Sequence, residues 1–475
     1  MQGSASLSYD SVREALAQQE LFEDKTWQLS PLPFSLSAEE FAEIERIGQA
    51  CVDFYRALET LYLKSAEGRK LFRNRAVQMP WVAEYLDRGK SEVVLRWNRR
   101  PEMKGFLPPV IRPDLLLTED GFSLTELDAV PGGIGLTAFL NRLYEQAGCD
   151  VIGGEERMVD AYYASLSRLA PEEHHPLIVI VVSDESATYR PEMLWLAEEL
   201  QRRGRRVFCV SPRDLIPLSG ELFIDVEGNP EKIDVIYRFF ELYDLENLPH
   251  LEFLLEALEN GSVVMAPPIR SFHEEKLSLA LFHHHLLQDF WKENLSSESR
   301  EVLGRVLPLS WVVDPAPVPP AAVLVAPRAG GRNITDWREL AEASQKERNL
   351  ILKISGFHET AEGAKSVLLG SDCSREEWRE GIEQAVQMSS THLHVLQEFR
   401  KPVRRKHPLY TDGGTVMSER QGRLRLCPYF FNLGTTVELA GVLATFCPPD
   451  KKIIHGMRDA ALLPSCVEAN IIPPK

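Results

Sequence analysis

The chain has 475 residues, more than one hydrophobic core usually organises, so two or three domains are expected. Hydrophobic residues make up 44% of the sequence and charged residues 26%, which is ordinary for a globular protein and indicates neither a fibrous nor a disordered chain. The formal net charge of −17 argues against nucleic acid or an anionic membrane as the main partner, because a polyanion needs a basic face.

The sequence predicts a cytoplasmic protein with reduced cysteines and no membrane partner. The longest apolar runs, such as PLIVIVV at 176–182, are far shorter than the roughly 20 residues of a membrane-spanning helix. The first residues are polar and acidic, unlike the basic and then apolar start of a secretory signal. Seven scattered cysteines without a C-x-x-C pair are typical of free thiols.

Residues 1–105 predict a helical N-terminal region. Ser37 precedes two glutamates, which indicates a helix cap, and apolar residues follow at three-to-four spacing. In the next segment, 106–150, the pattern changes to strands. The apolar runs VIRPDLLL and FSLTELDAV flank the turn TEDG, so we expect a hairpin in which Gly121 supplies a positive φ.

Residues 151–270 predict a Rossmann-like domain. The strand PLIVIVVSD, a helix that Gly204 ends, and the strands RRVFCVS and KIDVIYRFF favour a small parallel sheet. The first strand is not followed by G-x-G-x-x-G. A nicotinamide-dependent oxidoreductase is therefore disfavoured.

Residues 271–475 form the last predicted segment. It begins with a helix over 273–291, followed by a proline-rich loop or boundary at 313–331. The strands NLILKIS and HLHVLQEFR come next, separated by a glycine-containing loop and by a helix that Ser374 and Glu377 cap. The runs GRLRLCPYFFN and TTVELAGVLATF predict a final pair of strands.

The hairpin carries the strongest candidate site. Glu126 and Asp128 are two residues apart on a strand and so share one face, and Asp114 can lie near them across the turn. Three carboxylates on rigid strands suit Mg²⁺. Solvent-facing charges on an amphipathic hairpin are the alternative, but the apolar residues around Asp114 imply a mostly buried hairpin. Phosphate binding by the glycines at 132–135 is disfavoured, because no Walker A lysine follows them.

Other clusters carry less weight. Three adjacent histidines at 283–285 cannot converge on one ion if they are helical. His392 and His394 share a predicted strand face, but a zinc site needs a third ligand. The basic run at 400–407 binds an anionic substrate group or is a solvated charge run. A Ser or Cys nucleophile would need a positioned histidine, which the pattern does not supply.

The order of these motifs resembles the circularly permuted ATP-grasp family, which includes glutathionylspermidine-synthetase-like ligases. The resembling features are a hairpin with an acidic residue and then E-x-D, a DVIYR strand, an EK helix start, a lysine in LILKISG and a VLQEF strand. The resemblance covers roughly residues 105–445. It implies an α/β, circularly permuted ATP-grasp fold with a Rossmann-like pre-ATP-grasp domain and a helical N-terminal region.

The resemblance also implies site residues and cofactors. ATP would be bound by residues of the nucleotide-clamping segment, and Mg²⁺ by the hairpin. The implied ATP residues are Lys276 and Lys353 at the phosphates, Gly356 and Gly363 in a closing loop at 356–366, and Gln397 and Glu398 at adenine and ribose. The implied Mg²⁺ ligands are Asp114, Glu126 and Asp128, and Arg238 would line the acceptor side.

Two departures bear on activity. Cys427 stands where the family often has an arginine, although Arg425 and Arg423 share its strand face and supply positive charge nearby. A later Gly-Gly-x-x-Arg pattern is replaced by LAGVLATF. The expected function is an ATP-dependent carboxylate–amine ligase that acts through an acyl phosphate on small-molecule acids and amines. The alternative is a non-catalytic nucleotide-binding or interaction protein that keeps the fold.

Overall fold

The computed structural model describes residues 7–18, 27–73, 77–315, 327–361, 366–411, 414, 416–454 and 459–468. The N-terminal region is mainly helical, as predicted, and its elements are α1 (Tyr9–Ala17), β1 (Phe34–Leu36), α2 (Ala38–Ala66), α3 (Pro80–Asp87) and α4 (Glu92–Asn98). The predicted cap of α2 is confirmed, because the Ser37 hydroxyl accepts a hydrogen bond from Glu40 N and the Glu40 carboxylate accepts one from Ser37 N.

The predicted hairpin is confirmed. The elements of this part are β2 (Val110–Thr118), β3 (Gly121–Asp128), α5 (Ile134–Gln146) and α6 (Arg157–Ser167). Strands β2 and β3 pair antiparallel, and Gly121 takes the positive φ, +97°, that the turn requires. The register shifts between Asp114 and Leu115, because Thr125 is an extra, bulged residue in β3.

The predicted parallel sheet is also confirmed. This part contains β4 (Ile178–Val182), α7 (Arg190–Arg202), β5 (Val207–Val210), β6 (Ile216–Leu218), β7 (Glu221–Val226), β8 (Asn229–Lys232), β9 (Val235–Phe239), α8 (Leu251–Glu259) and β10 (Val264–Ala266). Four strands form a parallel sheet in the order β10-β9-β4-β5. Strands β6 to β8 form a separate antiparallel sheet that was not predicted.

The next part contains α9 (Leu277–His283), α10 (Gln288–Asn294), α11 (Ser297–Val306), β11 (Ser310–Val313), β12 (Arg328–Ala329), β13 (Arg332–Asn333), β14 (Leu350–Ile354), β15 (Leu368–Leu369), α12 (Arg375–Met388) and β16 (His394–Glu398). The prediction of one helix over 273–291 is wrong. His284 is extended (φ −67°, ψ 123°) and its ring packs on Trp81, so α9 ends before it. Most of the proline-rich segment, residues 316–326, lies outside the described residues.

The predicted final strands join the early hairpin in one sheet. The last elements are β17 (Arg404–Thr411), β18 (Val416–Asn432), β19 (Val437–Cys447) and β20 (Ala461–Val467). The seven-stranded sheet has the order β1-β20-β19-β18-β2-β3, with β17 also paired to β18. A smaller antiparallel sheet has the order β11-β16-β14-β15. Strand β2 therefore lies beside β18, although the two are far apart in the sequence.

The seven-stranded sheet is buried on both faces. Side chains alternate along β18: Leu424 and Leu426 belong to the core formed with α2, whereas Cys427 and Tyr429 belong to the core formed with α5, α6 and the parallel sheet. All seven cysteines are free, as predicted. In the described part of the chain, we find no helix with the length and apolar character to cross a membrane.

Candidate functional site

A cavity of about 430 Å³ lies where the three larger sheets approach one another. One face of the seven-stranded sheet forms its floor. The other walls come from the segments that follow β4 and β9 in the parallel sheet and from β14 and β16 of the smaller antiparallel sheet. Ligands of open α/β sheets bind at the carboxyl ends of the strands, so this location agrees with a binding site.

The hairpin places four charged residues together on the cavity floor. Asp114 in β2 is opposite Glu126 in β3, and Arg112 is opposite Asp128. Residues paired across antiparallel strands share a face, and all four line the cavity. The predicted placement of Asp114 beside Glu126 is therefore confirmed.

Arg112 connects the carboxylates and was not predicted as a site residue. Its Nε lies 2.9 Å from Asp114 Oδ1 and its Nη2 lies 3.1 Å from Asp128 Oδ2. Its Nη1 donates a hydrogen bond of 3.0 Å to the carbonyl oxygen of Gly132. A sequence signal did exist, because Arg112 is two residues before Asp114 and so shares its strand face.

Lys276 and Lys353 reach the same hairpin from two other parts of the chain. Lys276 Nζ lies 2.8 Å from Glu126 Oε1 and donates to the carbonyl oxygen of Ala361 at 2.9 Å. Lys353 Nζ donates to the Thr125 carbonyl oxygen at 2.9 Å and to Gln397 Oε1 at 3.3 Å. The structure thus brings together the two lysines that the resemblance implies.

The lysines and the carboxylates shift each other's pKa. Burial alone would raise the pKa of Glu126, but Lys276 and Lys353 outweigh it and lower this pKa to about 2. Burial raises the pKa of Asp128 to about 6, although Arg112 opposes the shift. Burial lowers the pKa of Lys353 to about 8, with Glu126 opposing. The pKa of Lys276 is raised, because Glu126 outweighs the effect of burial.

Arg425 supplies a further positive charge. Its Nη1 lies 3.0 Å from Asp114 Oδ2, and Cys427 Sγ donates to Asp114 Oδ1 at 3.4 Å. Burial raises the pKa of the Cys427 thiol to about 12, so it stays protonated at neutral pH. Arg423 does not line the cavity and instead donates to the carbonyl oxygens of Pro402 and Pro449.

The carboxylates are bound by protein cations in this structure. Among the residues that it describes, no three His, Cys, Asp or Glu side chains are grouped closely enough to hold a metal ion. Their oxygen atoms nevertheless have the chemistry that Mg²⁺ prefers, and they share one face of a rigid hairpin. The donors fit Mg²⁺ chemically, but Arg112 and Lys276 would have to release them.

The glycine turn after β3 is shaped by packing. A Cβ at Gly132 would lie 2.3 Å from the ring of Tyr189, and one at Gly133 would lie 2.4 Å from Tyr429 Oη. Glu192 accepts hydrogen bonds from the backbone of Gly133 and Leu136, at 2.7 and 3.2 Å. A protein carboxylate therefore already binds the N-terminus of α5, where an anionic ligand would bind.

Two implied residues, Arg238 and Glu398, do not line the cavity, and a third lies outside the described residues. Arg238 is fully buried, donates to the carbonyl oxygens of Phe240 and Pro267, and forms an ion pair with Glu274. Glu398 does not line the cavity, although its neighbour Gln397 does. Gly363 lies outside the described residues, whereas Gly356, at the other end of the loop, lines the cavity.

Comparison with known proteins identifies the fold. No protein-family model matches the sequence, and a search of curated proteins finds no match. A solved structure of a glutathione synthetase-like effector from Globodera pallida is similar, with a TM-score of 0.55 and 12% identity over 97% of this chain and 96% of the effector. A structure named as a γ-glutamylcysteine synthetase from Methylobacillus flagellatus matches with a TM-score of 0.43 and 11% identity, over 78% and 84% of the chains. The first of these similarities shows that the chain shares its α/β fold with that effector.

Proposed function

We propose that the protein is an ATP-dependent carboxylate–amine ligase that forms an amide or peptide bond through an acyl phosphate. One observation carries the proposal: four cations from separate parts of the chain converge on three carboxylates in one cavity. These cations are Arg112, Lys276, Lys353 and Arg425. A transferred phosphoryl group carries several negative charges, so a preformed cationic cavity matches its chemistry.

The nucleotide would lie along the side of the cavity that carries the lysines. Lys276 and Lys353 would bind its phosphates, because ammonium groups held in a partly buried site bind oxyanions strongly. The loop that starts at Gly356 would cover them, and Gln397 would face the adenine or ribose. Glu398 does not line the cavity, so this proposal gives it no contact with the nucleotide.

Mg²⁺ would be held by Asp114, Glu126 and Asp128. When bound, the ion would neutralise phosphate charge and orient the nucleotide. Deprotonated carboxylates are required for this role. Glu126, with its pKa of about 2, meets the requirement throughout the physiological range, and Asp128, with its pKa of about 6, meets it at neutral pH.

Arg112 and Arg425 would stabilise the charge that develops as the acid takes the γ-phosphate. Both line the cavity. Asp114 and Asp128 raise the pKa of Arg112 despite burial, and Cys427 and Asp114 do the same for Arg425, so both charges persist at any physiological pH. An amine would then attack the acyl phosphate and release phosphate. The residues contribute position and charge and form no covalent bond to the substrate.

The pairing of β2 with β18 supports a circularly permuted ATP-grasp core. In this proposal, residues 106–150 and 271–475 form the core, residues 151–270 are the Rossmann-like domain and residues 1–105 are the helical region. The partners would be small-molecule acids and amines. A non-catalytic nucleotide-binding protein is the second candidate, because Cys427 replaces the arginine of the resembling family.

Ligand protection and turnover test the proposal separately. We expect Mg·ADP to raise the melting temperature of the wild-type protein and that of Glu301→Ala, a control at an exposed carboxylate. Asp114→Ala and Glu126→Ala should remove the Mg²⁺-dependent part of the increase. In a screen of acids and amines with ATP, release of ADP would identify the ligase. Nucleotide protection without ADP release across a broad panel would favour the binding protein. Unchanged protection in both variants would contradict the metal assignment.

A further inference from the structure

Two buried polar atoms in the cavity have no hydrogen-bond partner among the described residues. They are Nε of Arg425 and Oγ1 of Thr445. The two residues are directly opposite each other on β18 and β19, and both line the cavity. Thr445 is only 2% exposed. Because an unsatisfied buried donor costs free energy, such a pair on a cavity wall indicates a ligand.

The surroundings define the chemistry of that ligand. Asp114 holds the Arg425 guanidinium through Nη1, so the orientation of Nε is fixed. Leu116 is opposite Arg425 on the other side of β18, and Leu443 is two residues before Thr445 on the same strand face. A guanidinium N–H beside a hydroxyl, with aliphatic neighbours, matches an oxyanion attached to an aliphatic group.

Arg425 and Thr445 lie on different strands of the sheet from the residues beside the proposed nucleotide position. Along the floor the strand order is β19-β18-β2-β3, so Thr445 and Glu126 lie on strands at opposite ends of this row. The lysines contact the β3 side, where Lys276 meets Glu126. An oxyanion bound by Arg425 and Thr445 would therefore be separate from the proposed phosphate position and would border it through Asp114.

We propose that Arg425 and Thr445 form a subsite for the carboxylate of the acid substrate, with Thr445 as a specificity-determining residue. The proposal rests on the ligase function proposed above. Thr445 Oγ1 and Arg425 Nε donate hydrogen bonds to the carboxylate, and the aliphatic residues beside them contact the substrate chain. The subsite thus selects an acid whose carboxylate is joined to an apolar carbon chain.

The test measures binding and needs no turnover. Butanoate serves as a short aliphatic carboxylate, and its dissociation constant is compared with those of ADP and inorganic phosphate by NMR titration. Thr445→Val keeps the β-branched shape and removes the hydroxyl. We expect about tenfold weaker butanoate binding, the order of one hydrogen bond to a charged group, with unchanged ADP binding. Thr445→Ser should retain butanoate binding, because it keeps the hydroxyl.

Ser123→Ala is the matched control. Ser123 also has a buried hydroxyl without a partner among the described residues, and it lies in the same sheet, but it does not line the cavity. Equal butanoate binding by wild type and Thr445→Val would overturn the proposal, as would wild-type protein that binds no butanoate at millimolar concentrations. A loss of ADP and phosphate binding in Thr445→Val would overturn it too, because the subsite would then belong to the nucleotide. Failure of the ligase function would instead appear as ADP binding by the wild type without ADP release from ATP across the acid and amine panel, whatever the result with butanoate.

Discussion

Lys276 and Glu126 bind each other inside the cavity, with 2.8 Å between Nζ and Oε1. The resemblance assigns one residue to phosphate and the other to Mg²⁺, yet each neutralises the other in this structure. Their pairing explains how an acidic hairpin is stable in a cavity, since a carboxylate removed from bulk water needs a nearby cation. Ligand binding would exchange these partners.

Lys276→Met should make the stability of the protein less sensitive to acid. In the wild type, the pKa of Glu126 is about 2, below the ordinary 4.5, so its stabilising contribution is complete above pH 4.5 and is lost as the pH falls towards 2. Without Lys276 the shift is smaller, so less stability is lost across this window. Urea unfolding at pH 7 and pH 3 measures the difference.

Lys292→Met, at an exposed lysine on α10, is the control for this substitution and should leave the acid dependence unchanged. An equal loss of stability between pH 7 and pH 3 in wild type and Lys276→Met would contradict the pairing. Lys276→Met should also weaken ADP binding by about tenfold or more, as expected for the loss of a charge-assisted contact.

Features that depend on nearby residues were predictable from the sequence. The hairpin, the cap at Ser37 and the shared face of Glu126 and Asp128 all follow from spacing of a few residues. The lysines at 276 and 353 were placed through the resemblance, and the structure brings both to the hairpin. Local rules describe elements well because turns, caps and strand faces are set within one element.

Features that depend on distant pairing were not predictable. Asp114 meets Cys427 and Arg425 only because β2 lies beside β18, and no spacing rule gives that register. The surroundings of the Arg238 side chain were unpredictable for the same reason. Its strand was predicted, but burial against Glu274 and backbone carbonyls depends on how the parallel sheet packs.

Nucleotide affinity should fall as the pH rises through about 8. Burial lowers the pKa of Lys353 to about 8, and only the protonated ammonium attracts phosphate. The expected decrease in ADP affinity is at most tenfold per pH unit for one linked proton. The free energy of unfolding should instead rise with pH between about 8 and 10.5, the ordinary pKa of lysine. In this range the unfolded chain binds more protons than the folded protein.

Lys353→Arg provides the comparison for this pH dependence. Arginine keeps its charge throughout the range, so ADP affinity between pH 8 and 10 should become nearly constant. Calorimetric titration across this range measures the effect in both proteins. A wild-type affinity that does not change above pH 8 would contradict a direct role of the Lys353 ammonium.

The glycine turn should be intolerant of a methyl group. Gly133 has φ +85°, and an added Cβ would lie 2.4 Å from Tyr429 Oη. Gly133→Ala should lower the free energy of unfolding by about 1–3 kcal/mol through backbone strain, and further through this contact. Gly204 has φ +73° with open space around it, so Gly204→Ala reports the strain alone. Urea unfolding compares the two substitutions.

Tyr429→Phe in the Gly133→Ala background should recover part of the lost stability, because it removes the oxygen atom that the methyl group meets. In the wild-type background it should be destabilising, since the Tyr429 hydroxyl donates a hydrogen bond of 2.9 Å to the Gly132 carbonyl oxygen. Equal effects of Tyr429→Phe in both backgrounds would show that the contact is relieved in another way.

Arg238 should contribute to stability and leave nucleotide binding intact. It is fully buried, pairs with Glu274 and does not line the cavity. Arg238→Met leaves the Glu274 carboxyl without its cation. Because burial already raises the pKa of Glu274, loss of the arginine raises this pKa further, and we expect about 3–5 kcal/mol less stability at neutral pH.

The double variant Arg238→Met/Glu274→Gln should recover part of this lost stability, since no charge is left unpaired. Urea unfolding with an ADP titration of each folded variant separates the two roles, and a stable Arg238→Met protein with much weaker ADP binding would place Arg238 in the binding machinery.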